Sequence, residues 1–449
     1  MHDALDDDQR RLRGVVALCL VWLVAVAPVV PVLTAQGAPR VAFAGAVVDD
    51  GTIVIDGYLL GYDFAERDGH LYSDKAPGQQ VLSLPFYAVG RAVGLDPASD
   101  HRADENLTVW WITLWTSVVP AAALTGLMGW SMVRRGTPVP LPALATMAFG
   151  TMILPLSSNL YGHVLSALCG FGAWVLVDRQ RQPSFRTGLL VGACLAFGVT
   201  VEYTLGIVLV VVLGALVVRR HWATLAGAVA TGVPFAVALG LYQQAAFGSP
   251  FSSGYADKPK LRDSTSFVTG IPDPMMLARS LFGTRGLFVF TPIVLVGIIG
   301  LVRRWRRSRD EGAMIALLVC AGFMLLQAGW QNPYGGDSPG PRYLTPMLPF
   351  VVLGLADLWA DLPRLVRRLV ATVSVLSMVL STITYHLVGH GDLLIVRPLE
   401  ILRDEGLTPT IWTIAFGPIG WVVYLATLGA VVWWSRDRLV GALDPSGGP

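Results

Sequence analysis

Residues 69–87, GHLYSDKAPGQQVLSLPFY, stand between two long apolar regions and place His70, Asp74 and Lys75 just ahead of a Pro77-Gly78 break. The stretch changes character halfway. Its first half is polar, and the Ala76-Pro77 pair stiffens the backbone into an extended entry that presents the Lys75 ammonium. After the break, QQVLSLPFYAVGRAVGL spaces Val81, Leu84, Tyr87 or Ala88, and Arg91 along one helical face, apolar with a polar side. That segment is too short and too interrupted to cross a bilayer, so it predicts an interfacial helix holding a polar loop at the outer leaflet.

Working outward, the 449-residue chain is 53% hydrophobic and 14% charged, with a mean hydropathy of +0.57. Such usage is that of an integral membrane protein. Since a bilayer core of about 30 Å needs roughly 20 helical residues per crossing, the apolar runs predict twelve spans. They lie at about 15–35, 107–132, 139–158, 161–178, 187–203, 204–218, 222–246, 286–302, 312–330, 343–360, 368–388 and 411–434. The connections near 159 and 203 are almost absent, and losing both would leave ten. The expected fold is therefore an all-α polytopic membrane protein with about twelve transmembrane helices and a long first outer loop.

The arginines orient it. Those at 10, 11 and 13, 134 and 135, 179, 181 and 186, 219 and 220, 303–309, 364–368, and 436 and 438 supply 20 of the 33 Lys plus Arg residues, all beside span ends. By the positive-inside rule these segments, and both termini, face the cytoplasm. The basic residues form no patch interleaved with aromatics, so nucleic acid is not an expected partner. Cys19, Cys169, Cys194 and Cys320 all fall within predicted spans as packing residues. The first apolar run lacks a convincing cleavage site and is read as span 1.

Polar residues collect in the outer segments 36–106 and 247–285, with shorter ones at 331–342 and 389–410. The inner connections are short and hold neither G-x-x-x-x-G-K-[ST] nor G-x-G-x-x-G, which argues against nucleotide-driven chemistry inside. In the 36–106 segment, VVDDGTIVIDGY at 47–58 sets Asp49, Asp50 and Asp56 around a β-prone TIVI, and Asp63 and His70 follow. The segment QNPYGGDSPGPRYLTPMLPF at 331–350 shapes its backbone with glycine and proline and delivers Arg342 to the mouth of a span, where a planar guanidinium suits phosphate. Two cations converging on one outer cavity would make an anion site. Glu202 and His163 stand near outer span ends, Glu202 as a cavity or pair residue and His163 as core.

Taken together, DGTIVIDGY, DGHLYSDKAPGQQVLSLPFY, FGSPFSSGY, SLFGTRGLFVFTPIVL and SPGPRYLTPMLPF, spread over about residues 40–350, resemble blocks of the GT-C superfamily of polyprenyl-phosphate-sugar glycosyltransferases. The likeness is greatest to bacterial relatives in the protein mannosyltransferase and aminoarabinose transferase branch. The resemblance implies a catalytic membrane core over 15–350, additional helices over 351–434, and cytoplasmic tails at 1–14 and 435–449. It implies a plasma-membrane enzyme that moves a sugar from a polyprenyl-phosphate carrier to a hydroxyl of a lipid, glycan or protein acceptor outside the cytoplasm. An outer-loop aspartate would be the general base: Asp56 first, Asp63 second, with Asp49 and Asp50 as further candidates. Lys75 and Arg342, with His70 and Tyr343, would hold the donor phosphate; Tyr72, Asp74, Glu202, Tyr255 and Lys258 would line the substrate cavity. No cofactor is required, although carboxylates here could take a divalent cation. One departure stands out: relatives place an acidic pair directly after span 1, where this chain has Gln36 and Arg40. Rival readings are a lipid-linked glycan transporter or flippase, against which the lack of internal repeats counts, an O-antigen-ligase-like enzyme, and a non-catalytic scaffold.

Overall fold

The computed structural model describes residues 2–58, 63–95, 106–136, 141–180, 182–255, 271–384 and 392–441. The described chain is almost wholly helical. Six helices are long and apolar enough to cross a membrane: Leu107–Arg134, Trp222–Phe247, Glu311–Ala328, Arg342–Asp361, Arg364–Ile383 and Ile419–Leu439. A bent pair, Pro274–Phe290 with Pro292–Ser308 at 92°, makes a seventh if taken as one span.

By length and composition the described residues thus supply six or seven of the twelve expected spans as long helices. Several apolar runs become shorter or broken helices instead, and local chemistry explains the breaks. His163–Asp178, Phe185–Val201 and Tyr203–Val218 are apolar but short. Glu202 adopts an extended backbone (φ −146°, ψ 115°) and ends one helix before the next begins. The run at 139–158 splits into Leu141–Phe149 and Ile153–Ser157. The run entering at Arg342 is a 3₁₀ helix through Val351, with Pro346 and Pro349 removing backbone donors, before it becomes α-helical. Below it, Gly297 and Gly300 of helix Pro292–Ser308 meet Gly354 so closely that a Cβ on any of them would collide with the facing backbone.

The 36–106 segment is more ordered than a polar loop. Ala38–Asp49 is a helix, and TIVI is no strand; the hairpin forms instead from Ala65–Arg67 and His70–Tyr72, in register Ala65↔Tyr72 and Arg67↔His70. Its two-residue turn, Asp68-Gly69, has both residues at positive φ, the twist-matched hairpin geometry. Helix Pro77–Ala92 forms where expected, but its polarity is inverted: Gln79, Gln80 and Ser83 are buried, while Val81 and Val89 are half exposed. Gln79 reaches across to the Tyr161 carbonyl and Ser117 (both 3.2 Å). Gly78 makes this docking possible, since a Cβ there would stand 2.6 Å from the Thr200 hydroxyl.

The ends of the bundle differ. At one end Arg135 is bonded to Asp178 and stands 3.6 Å from Asp310, Arg304 holds Asp310 at 3.1 Å, Arg219 holds Glu311 at 2.7 Å, and Arg303 is bonded to Asp361. His163–Asp178, Glu311–Ala328 and Arg342–Asp361 each have one terminus in this arginine belt. Their other termini lead to His163, Trp330 and Arg342 at the opposite end. The chain closes on itself: helix Ile419–Gly441 packs along His2–Val26, with the Tyr424 hydroxyl donating to the Ala25 carbonyl at 2.6 Å.

Candidate active site

A cavity of about 320 Å³ opens at the end away from the arginine belt. Asp63, Lys75, Tyr255, Arg342 and Tyr343 line it together with Gln36, Tyr161, Trp330, Asn332 and Asp337. Lys75, delivered at the entry to helix Pro77–Ala92, is buried; its Nζ lies 2.8 Å from Asp63 Oδ2 and 2.9 Å from Asp74 Oδ2. Gln80 Nε2 donates to the Lys75 carbonyl at 2.9 Å and fixes the backbone beneath the ammonium. Asp74 is fully buried behind the lysine, with Gly254 packed against it: a Cβ at Gly254 would lie 2.5 Å from the Asp74 Cα. Asp63 keeps a quarter of its side-chain surface open, and its Oδ2 also accepts from Gln36 Nε2 at 3.2 Å.

Arg342 is the opposite case. It is 7% exposed, and among the described residues no carboxylate pairs with it. Its guanidinium donates to the Tyr343 hydroxyl at 3.4 Å and lies 5.6 Å from the Tyr161 ring and 5.3 Å from the Tyr343 ring, while its Nε has no partner. A buried cation is costly unless compensated. Around Arg342 the compensation the described residues supply is aromatic faces and one hydroxyl, at the edge of the cavity.

The 332–340 loop frames Arg342. Gly335 (φ 77°) and Gly336 (φ 108°) adopt conformations that side-chain-bearing residues rarely hold. Asn332 Oδ1 caps the turn by accepting from Tyr334 N at 2.9 Å and Gly335 N at 3.1 Å. Arg285, itself buried, donates to the carbonyls of Gly336 (3.2 Å) and Ser338 (2.7 Å) and stacks on Tyr334 at 4.2 Å. An aromatic wall completes the cavity, with Trp330 4.4 Å from Tyr343 between ring centres.

The structure thus gathers Asp63, Asp74, Lys75, Tyr255, Arg342 and Tyr343, with Glu202 close by but outside the cavity lining, and sets Asp49, Asp50, Asp56, His70 and Tyr72 outside that lining. Asp56, the favoured base on sequence grounds, is outside the cavity: it accepts from the Leu71 amide at 2.6 Å and pairs with His70 at 2.8 Å, both side chains about half exposed. The His70 hydrogen bond, then the Leu71 amide, hold its carboxyl below the usual aspartate value. His70 is accordingly a clasp residue at the surface, away from the cavity lining. Asp49 accepts from the Tyr87 hydroxyl at 2.7 Å, and Asp50 from Tyr58, whose phenol is pushed up to about 12 by burial and that bond. Tyr72 packs edge-on to Phe247 at 6.2 Å. Glu202 stands behind the wall, 3.5 Å from buried Arg40 and 3.6 Å from His163; Arg40 also donates to the Gln36 carbonyl. Lys258 lies outside the described residues.

Asp337, Trp330, Asn332, Tyr161 and Arg285 are cavity or support residues that the sequence reading passed over. The signal for Asp337 was the Gly-Gly pair before it, read there only as shaping the approach to Arg342. Among the described residues no group of three or more His, Cys, Asp or Glu could hold a metal ion; the cavity lining holds two carboxylates, Asp63 and Asp337, of which Asp63 is bonded to Lys75 and Gln36.

The model of glycosyltransferase family 87 matches residues 101–328, half of the chain, between Lys75 and Arg342. No curated protein sequence matches. Among solved structures, ArnT from Cupriavidus metallidurans in the apo state is similar, with a TM-score of 0.50 at 12% identity over 95% of this chain and 76% of that one. The same protein bound to undecaprenyl phosphate gives 0.48 at 14% identity over 95% and 77%. The arabinosyltransferase EmbB from Mycobacterium smegmatis gives 0.42 at 11% identity, over 98% of this chain and 41% of that one.

Proposed function

This chain belongs to glycosyltransferase family 87, and from that premise we propose that it transfers a sugar from a polyprenyl-phosphate carrier to an acceptor hydroxyl at the cavity of Asp63, Lys75 and Arg342. The observation that carries the reading is the buried guanidinium of Arg342, unpaired with any described carboxylate, sharing one void with a lysine and a quarter-exposed aspartate. The carrier class comes from the sequence blocks around these residues.

Asp63 replaces Asp56 as the preferred base. Its carboxylate takes the acceptor proton as the acceptor oxygen bonds to the anomeric carbon; the bond from that carbon to the phosphate oxygen breaks, and the phosphate leaves with the electron pair. General-base assistance of this kind is worth about 10²- to 10⁴-fold. Lys75 and Arg342 stabilise the charge developing on the phosphate. Lys75 couples the two tasks. Its ammonium is shared between Asp63 and Asp74, and a neighbouring positive charge makes a carboxylate a weaker base; a phosphate that draws the ammonium away raises the basicity of Asp63. Burial by Gln36 and the aromatic wall keeps these charges in a poorly screened setting.

The cavity and the arginine belt occupy opposite ends of the bundle. Under the positive-inside rule the belt faces the cytoplasm and the cavity opens outside it, in a plasma membrane. The test is transfer of radiolabelled sugar from polyprenyl phosphate to a membrane-extract acceptor by the purified chain in lipid. Loss of product in Lys75→Ala and Asp63→Asn supports the reading. Undiminished transfer by Lys75→Ala, or movement of the lipid-linked sugar across the bilayer with no new glycosidic bond, overturns it.

A further inference from the structure

The proposed base is held by more than Lys75. Gln36 lines the cavity, and its Nε2 donates at 3.2 Å to Asp63 Oδ2, the oxygen that also accepts from Lys75 Nζ at 2.8 Å. Two donors meeting on one oxygen anchor the carboxylate at that atom and limit how it can turn. Glutamine is a demanding choice for such a task, because its amide is neutral and hangs on three rotatable bonds. Its orientation has to come from what holds the backbone beneath it.

The surrounding chain supplies that hold. The amides of Gly37 and Ala38 both donate to the Thr34 carbonyl at 2.9 Å, and the Gly37 amide also reaches the Thr34 hydroxyl at 3.0 Å, closing the turn on which Gln36 stands. From the first turn of helix Ala38–Asp49, Arg40 donates to the Gln36 carbonyl. Arg40 is buried, and its partner is Glu202, 3.5 Å away at the break between helices Phe185–Val201 and Gly206–Val218. Gly162 leaves room for that carboxylate, since a Cβ there would lie 2.7 Å from its Oε1. Stability does not explain the pair, because well-packed apolar side chains of similar volume often hold such a place as well or better. What the pair does supply is a fixed guanidinium bonded to Gln36.

We propose that Gln36 is a positioning residue for Asp63, and that the buried Arg40–Glu202 pair positions Gln36 in turn. The contacts run unbroken from the helix break at Glu202, through Arg40 and the Gln36 carbonyl, to the Gln36 amide and the Asp63 carboxylate. The inference rests on the transfer reading given above. It adds to that reading a group that acts on the base without gripping the phosphate, a task that falls to Lys75 and Arg342. Its mark is therefore a loss in kcat at nearly constant donor KM.

The experiment measures kcat and donor KM for the full chain in lipid, with radiolabelled polyprenyl-phosphate sugar as donor. Gln36→Met keeps the length of the side chain and removes the amide. It is expected to lower kcat about 10- to 100-fold, with donor KM within about twofold of wild type and the thermal midpoint retained. In the Asp63→Asn background the same substitution should cost nothing further. Arg40→Met with Glu202→Met, an apolar exchange of both partners, should keep the thermal midpoint, lower kcat and add little to Gln36→Met. A pair that only braced the fold would leave kcat unchanged in folded protein, and that result would overturn its part in the chain of contacts. Undiminished kcat in Gln36→Met, an equal loss in the Asp63→Asn background, or a rise in donor KM alone would overturn the positioning role and leave the transfer reading standing. Asp63→Asn transferring at the wild-type rate would instead overturn the base assignment, and this proposal with it.

Discussion

The two ends of the helix bundle use the same residue types for opposite purposes. In the arginine belt, cations bridge helix ends to carboxylates, as Arg135 does between Asp178 and Asp310 and Arg219 does to Glu311. At the cavity the matching is uneven: Lys75 has two carboxylates, and Arg342 has none among the described residues. Paired charges across helices fix structure; under the proposed function, the imbalance at the cavity is completed by the donor phosphate. What sets Arg342 apart from the belt's arginines that are unpaired among the described residues is that it is buried beside a cavity.

The sharpest way to break this contrast is Lys75→Ala. It leaves buried Asp74 uncompensated, so transfer should disappear and stability should fall by about 3–5 kcal/mol, seen as a lower thermal midpoint in detergent. Asp63→Asn keeps the Lys75–Asp74 pair; transfer should drop about 10²- to 10⁴-fold with the thermal midpoint little changed. Arg342→Lys retains the charge but loses the fork, and should raise the donor KM by about 10- to 100-fold with a smaller effect on kcat. At the other end, Arg135→Ala should destabilise by about 3 kcal/mol while the folded fraction transfers sugar at the wild-type rate. If it instead abolishes transfer in folded protein, the division between the ends is wrong.

Asp56→Asn is the smallest effect, within about twofold on transfer and in line with an exposed pair. Its signature is in pH. Because His70 and the Leu71 amide hold the Asp56 carboxyl below its usual value, the clasp is present at pH above the ordinary aspartate range and is lost as pH falls through that lowered value. Hydrogen exchange of the 65–72 hairpin amides should report this acid loosening in wild type, and the asparagine variant should not show it.

The pairing of Lys75 with Arg342 was legible because glycine and proline advertise where the chain presents a side chain, and because a cation at the end away from the other arginines runs against the general trend. That Asp63 rather than Asp56 lines the cavity was not. Both follow apolar or aromatic neighbours, and only the hairpin register, set by Asp68-Gly69, turns Asp56 toward His70 and leaves Asp63 with Lys75. The helical class was legible from hydropathy, but the places where helices break were not, since an apolar run reads the same whether it continues or breaks at Glu202 or Gly150. Helix Pro77–Ala92 shows the limit most plainly. Its amphipathic spacing was legible, but not that Gln79, Gln80 and Ser83 on its polar side would be buried within the protein while Val81 and Val89 stay exposed.

The glycine contact between helices Pro292–Ser308 and Arg342–Asp361 has a mechanical consequence. Backbone seated directly on backbone permits one axial registry, like a tooth in a notch, and Arg342 rides at the tip of the notched rod. Under the proposed function, the height at which a headgroup is gripped is therefore set by residues that never meet it, leaving the loops around the cavity at liberty to vary while the reach of Arg342 stays constant.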